Sequence, residues 1–218
     1  MLGLLAKVIP LDLASTLSPG IFALAIYLLG SKYHPYIRIF SFFAGILLIG
    51  IGITIAGFAV GAATPNVAVG ESTSSAIVDL ILGLVLIVFG IHSLSAKERK
   101  AKPATEKGSQ VFKWVIIGIV IAVTNLDAAF LNFTAAKEVS DSTAVDSIEK
   151  IIILIVNLIF FTLPITLPFL ITVLFPALKD KILPKLNQFV TKYSKYIIFV
   201  MLVGFGIYLA YKGIAHFL

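Results

Sequence analysis

The sequence predicts an all-α, polytopic membrane protein whose six transmembrane helices form an inverted three-plus-three repeat, with the first, fourth and fifth helices broken. Three observations carry that expectation. Six apolar stretches have the length a bilayer demands, three of them contain helix breakers or polar clusters, and one long polar stretch leaves an odd number of spans on each side.

The apolar stretches are residues 5–29, 39–61, 76–94, 111–136, 151–175 and 196–215. Crossing the hydrocarbon takes roughly 20 residues at about 1.5 Å rise each. A chain that is 59% hydrophobic and only 13% charged has too little polar surface for a water-soluble fold. Only helices or closed barrels can span, and continuous apolar runs select helices over the short alternating segments of a barrel. No basic region precedes the first stretch and no small-x-small site ends it, so it is read as a retained span rather than a signal peptide.

In the first span, Pro19 removes a backbone donor and disfavours helical geometry at Ser18, while Gly20 loosens the chain further, so a break is expected there. In the second, Gly57 and Gly61 form one GxxxG, read as a packing contact. Asp79, three residues into the third, reads as a solvated helix-start acid. The fourth carries the polar cluster Thr124, Asn125, Asp127, with Asn132 and Thr134 beyond it. In the fifth, Pro164 and Pro168 lie four apart, as do Thr162 and Thr166, which fits either a gating hinge or an ordinary kink whose threonines re-satisfy the backbone. Asn157 of the same span is read as interhelical hydrogen-bond glue, with a ligand role as the competing reading.

The polar stretch SAKERKAKPATEKGSQ divides a single domain, residues 1–218, into repeat 1 (1–94), a cytoplasmic linker (95–110) and repeat 2 (111–218). Three spans per half give the halves opposite orientations. GLVLIVFGI, starting at Gly83, matches GIYLAYKGI, starting at Gly206, with Gly, Leu, Gly and Ile at the same offsets. Leu11-Asp12-Leu13-Ala14 likewise resembles Leu126-Asp127-Ala128-Ala129. Transporters built as inverted repeats bind substrate near the midplane, where broken helices meet.

Charge orients the chain. Thirteen of the seventeen Lys and Arg residues fall in the first, third and fifth loops, and the opposite side holds only Lys7, Lys137, Lys150 and Lys212. Cytoplasmic loops are the basic ones, so both termini are expected outside a plasma membrane crossed several times. The net charge of +6 is accounted for by anionic lipid headgroups, with no nucleic-acid partner. The chain has no cysteine, which excludes disulfides, thiolate metal sites and dithiol redox chemistry. His34, His92 and His216 have no metal-ligand spacing, and neither a metal nor a cofactor is expected. Membrane lipids and a small-molecule or lipid-linked substrate are the expected partners, and a homo-oligomer is compatible with the sequence.

Two acids interrupt otherwise nearly uncharged spans, and an intramembrane acid is by default a functional-site hypothesis. Asp127, well inside its span with Asn125 two residues before it, is the first candidate. Asp12 is the second: it lies deep if its helix begins near Leu2 and at the interface if it begins near Val8. The expected substrate- or ion-binding set is Asp12, Ser18, Pro19, Thr124, Asn125, Asp127, Asn132 and Asn157, with Pro164 and Pro168 as hinge and no catalytic residue.

The runs IPLDLASTLSPG, LLGSKYHPYIRIFSFFAGILLIGIGI and VGFGIYLAYKGI resemble the LysE-type exporter superfamily. Within it they are most similar to the branch of glycopeptidolipid- and sulfolipid-addressing proteins. Ser18-Pro19 and Arg38 occupy the positions of that branch's helix-breaking proline motif and of its arginine before a small-residue-rich second helix. Many relatives carry Asn-Pro-Lys in the fourth helix, where this chain reads Asn125-Leu126-Asp127, keeping the amide but losing the proline and reversing the charge. The resemblance implies export of amino acids, ions or lipid-linked molecules by alternating access. The expected function is therefore that of a secondary transporter rather than an enzyme, with the intramembrane acids Asp12 and Asp127 as candidate proton- or cation-binding groups. With no Lys or Arg in mid-span, a cationic or zwitterionic solute, or an amphiphilic or lipid-linked molecule, suits it better than a small anion. An integral-membrane lipid-modifying enzyme needs a cluster of acids or histidines that the sequence does not offer, and a non-transporting scaffold or assembly protein would use the two acids structurally.

Overall fold

The computed structural model describes residues 2–63, 73–95 and 110–217. These residues form eight α-helices: α1 (Leu2–Ser15), α2 (Pro19–Leu29), α3 (Pro35–Ala63), α4 (Thr73–Ser95), α5 (Val111–Thr124), α6 (Leu126–Asp141), α7 (Ser147–Leu174) and α8 (Lys179–Ala215), with no strand among them. Nearly all of the expected linker lies outside the described residues, with Lys97, Arg99, Lys100, Lys102 and Lys107. Four helices (α3, α4, α7 and α8) are long and apolar enough to cross a bilayer, or six spans result if each of two bent pairs counts as one. The chain is a helical membrane protein.

The bent pairs are α1 with α2, meeting at 55°, and α5 with α6, meeting at 74°. Ser18 is extended (φ −107°, ψ 92°) and Pro19 opens α2, as expected where proline disfavours helix at the residue before it yet suits a first helical position. The second bend has a different cause. Asn125 (φ −87°, ψ 63°) ends α5 and starts α6, donating its backbone N–H to Ile121 O while its own carbonyl accepts from Ala129 N–H. The fifth span departs from expectation. α7 continues through Pro164 and Pro168 as one helix. Its threonine hydroxyls do not bond the carbonyls that the prolines leave free, those of Phe160 and Pro164. Thr162 donates to Leu158 and Ile159, Thr166 to Thr162, and Thr172 to Pro168.

Each bend hands its two helices to different cores. Leu4, Val8 and Leu11 of α1 pack with Leu131, Ala135 and Val139 of α6, Leu82 and Leu86 of α4, and Leu202 and Leu209 of α8. Ile21, Ala25 and Leu28 of α2 pack with Trp114 and Ala122 of α5, Phe42 and Ile46 of α3, and Phe161 and Ile165 of α7. The bundle therefore has two apolar cores, and the two bends lie where they adjoin.

The matched glycines bind α4 to α8. A Cβ on Gly83 would stand 2.6 Å from Gly206 O, and one on Gly206 would stand 2.7 Å from Gly83 O. The same reciprocity extends outward, because Gly83 and Gly206 also meet the backbone nitrogens of Ala210 and Ile87, and Gly90 and Gly213 those of Val203 and Leu80. Backbones this close exclude every larger residue, as at small-residue interfaces in membranes. Gly57 and Gly61 do the same for α3 against Phe133, Lys137 and Ser140 of α6.

Candidate functional site

Four helices bring one polar residue each to a buried chain of hydrogen bonds. Asn157 (α7) donates from Nδ2 to Asp12 Oδ1 (α1) at 2.6 Å, and Asn132 (α6) donates from Nδ2 to Asn157 Oδ1 at 2.8 Å. The Thr54 hydroxyl (α3) lies 3.0 Å from Asn132 Oδ1 and 3.3 Å from Asn157 Oδ1. A hydroxyl has one proton, so two amide oxygens, those of Asn132 and Asn157, compete here for a single donor. The amide bonds run toward Asp12. That residue is 1% exposed, and its second carboxylate oxygen, Oδ2, is buried without a donor among the described residues. α1 runs from Leu2, the helix start for which the deeper of the two placements of Asp12 is expected. A buried, unpaired carboxylate oxygen is costly unless something binds it. Its chemistry suits a proton, a cation or a donor on a solute head.

The two chain bends touch. Asn125 Nδ2 donates to Ser18 Oγ across 3.2 Å, and Ser18 is buried. The aligned acids do not share this arrangement, because Asp12 precedes its bend whereas Asp127 follows its own. Asp127 is half-buried in the first turn of α6, within electrostatic reach of His92, and has no part in the Asp12 chain. That is where a helix dipole favours an acid. Thr124 is exposed and donates to Ile121 O within its own helix.

A second polar assembly joins α1, α4, α6 and α8. Lys137 (α6), 0% exposed, has its ammonium 2.6 Å from Asp79 Oδ1 (α4) and 2.6 Å from Asp141 Oδ2, one turn along α6. Lys212 (α8) holds the other oxygen of Asp79 at 2.7 Å, and Lys7 (α1) pairs with Glu138 at 3.3 Å. Asp79 is therefore fully buried rather than a solvated helix-start acid. Packing against α6 and α8 encloses it, and two ammonium groups replace the water it loses. Lys137 is likewise no loop residue, since α6 continues past the apolar stretch to Asp141. Arg38, buried in the first turns of α3, donates to Ser31 Oγ at 2.9 Å and lies over the Trp114 ring.

Of the expected set, Asp12, Asn132 and Asn157 thus come together, and Ser18 with Pro19 meets Asn125. Asp127 and Thr124 stay outside both groups. Thr54 was missed, although it is the one hydroxyl inside ILLIGIGITIAGF and lies three residues before Gly57, whose close approach to α6 brings it to Asn132. Lys137 was missed because its segment is too polar to read as membrane, although its i,i+4 spacing to Asp141 was visible.

A family model described as Sap, sulfolipid-1-addressing protein, matches residues 8–215. No curated protein and no solved structure gives a match.

Proposed function

We propose that this chain, which belongs to the sulfolipid-1-addressing protein family, is a secondary transporter that moves an amphiphilic, lipid-linked molecule across the plasma membrane by alternating access around Asp12. The observation that carries this reading is the unpaired, fully buried oxygen of Asp12 at the end of a chain of amide donors. An intramembrane acid that faces the bundle interior is by default a candidate for an ion or substrate path. Each bent pair is read as one span, giving six spans in two inverted repeats with both termini outside. The reciprocal contacts of Gly83 and Gly206 and the meeting of Ser18 with Asn125 support that architecture. Asp12 would take up the coupling proton or cation, while Thr54, Asn132 and Asn157 would bond hydroxyls of the solute's head. The resemblance to LysE-type exporters favours the outward direction.

The test uses vesicles containing purified protein and a fluorescent glycolipid in one leaflet, with a pH gradient. The wild type should speed transfer to the other leaflet, Asp12→Asn should abolish both the acceleration and its pH dependence, and Asp127→Asn should keep most of it. If wild-type protein moves no labelled lipid, transport of this class is wrong. The family's description as an addressing protein supports a second reading, an accessory that positions lipid-handling partners. In that case Asp12→Asn would leave function intact.

A further inference from the structure

α8 is too long for the membrane it crosses. Its 37 residues extend about 55 Å, against a hydrocarbon thickness of about 30 Å. The part that packs along α4 is fixed by Gly213 against Ala76 and Leu80, Gly206 against Gly83, and Val203 against Gly90. Ser95, the last described residue of α4, lies five residues beyond Gly90, and the antiparallel α8 passes that level near Ile198. Residues 179–195 continue past it for about 25 Å. They hold Lys179, Lys181, Lys185, Lys192 and Lys195 against one acid, Asp180.

Helical geometry sorts this segment into two faces. Leu183, Val190 and Ser194 are buried on one side. On the opposite side, at spacings of three and four, stand Lys181, Lys185, Phe189, Lys192 and Tyr196, all exposed. Phe189 is 50% exposed and Tyr196 55%. A shallow recess of about 400 Å³ lies along this face, with Lys181 and Lys185 beside an apolar floor of Ile182, Leu186 and Phe189. A face meeting only water has no use for outward aromatic rings, and one meeting hydrocarbon does not tolerate lysines at this density. Aromatic rings beside long-stemmed cations are the composition of the headgroup layer. A neutral headgroup would not select for four net positive charges.

We infer that residues 179–195 of α8 form a binding surface for the anionic lipid headgroups of the adjacent leaflet, with one headgroup seated between Lys181 and Lys185 over Phe189. This holds whether or not the chain carries a solute.

The absence of cysteine allows a single label to report on the surface. Full-length protein with Gln188→Cys would carry a nitroxide and be placed in vesicles of phosphatidylcholine, with or without phosphatidylglycerol. Phosphatidylglycerol should shift the label toward oxygen and away from a water-soluble nickel chelate, and protein extracted in mild detergent should retain severalfold more phosphatidylglycerol than phosphatidylcholine. Changing Lys181, Lys185 and Lys192 together to Gln should remove both effects, whereas changing them to Arg should preserve them. Equal retention of the two lipids, an effect untouched by the glutamine variant, or displacement by millimolar inorganic phosphate would each overturn the inference, the last by making the surface a free-anion site.

Discussion

Asn125 donates to Ser18 across 3.2 Å, joining two bends that lie 107 residues apart in the chain. One bend is made by Pro19 and the other by no proline at all. Each is stabilised by the side chain of the other, so neither should tolerate loss of its partner independently. In a double-mutant cycle, Ser18→Ala and Asn125→Ala should couple by about 0.6–1.7 kcal/mol, the range of hydrogen bonds between membrane helices. Unfolding in mixed micelles measures it, and strictly additive losses would show the contact to be incidental.

The ion cluster allows a larger effect. Lys137 is fully enclosed between Asp79 and Asp141, so Lys137→Met leaves two carboxylates buried against Lys212 alone. Removing one partner of a buried pair costs about 3–5 kcal/mol, whereas replacing charges together is far milder. Lys137→Met should therefore lower thermal stability sharply, and the triple variant Lys137→Met, Asp79→Asn, Asp141→Asn should recover most of the loss. A triple variant less stable than the single one would contradict the pairing.

Gly83 and Gly206 give a prediction on packing alone. Either residue changed to Ala places a Cβ within 3 Å of backbone on the facing helix, where no rotamer change relieves it. Loss of about 1–3 kcal/mol is expected from overpacking. Gly204 of the same helix has nothing within 4 Å, and Gly204→Ala should be neutral or slightly stabilising in the same melts.

Orientation is testable with single cysteines in this cysteine-free chain. Thr143→Cys, in the exposed turn between α6 and α7, should react with an impermeant maleimide added to intact cells. Lys32→Cys, exposed between α2 and α3, should react only after permeabilisation. The opposite labelling would invert the topology drawn from basic loops.

The sequence shows its membrane class plainly, since apolar runs of bilayer length have few other uses. It shows the bend at Ser18 too, because proline acts on its immediate neighbour. It conceals the bend's partner, as an Asn at position 125 does not advertise a non-helical ψ. The pairing of Leu11-Asp12 with Leu126-Asp127 misleads for a related reason: local identity says nothing about which side of a bend each acid occupies. The Gly83 and Gly206 runs are the better match, since each of these two glycines is required by the backbone of the facing helix. Lys137 and Asp79 stayed hidden because hydropathy treats a charge as evidence for water, whereas opposite charges brought together by four helices can stay buried.

The prolines of α7 provide the last test. Pro164 and Pro168 are buried on the face that carries Asn157 and Phe161, and they deprive Phe160 and Pro164 of their usual carbonyl partners in a helix that nevertheless continues. Changing both to Ala restores two backbone donors while removing some buried ring surface. The two effects oppose each other, and net stability should change by no more than about 1–2 kcal/mol. If α7 flexes there as the bundle opens, the double variant should turn over severalfold more slowly in the vesicle assay while binding the labelled lipid as tightly as the wild type. A variant with wild-type turnover would assign the prolines to packing alone.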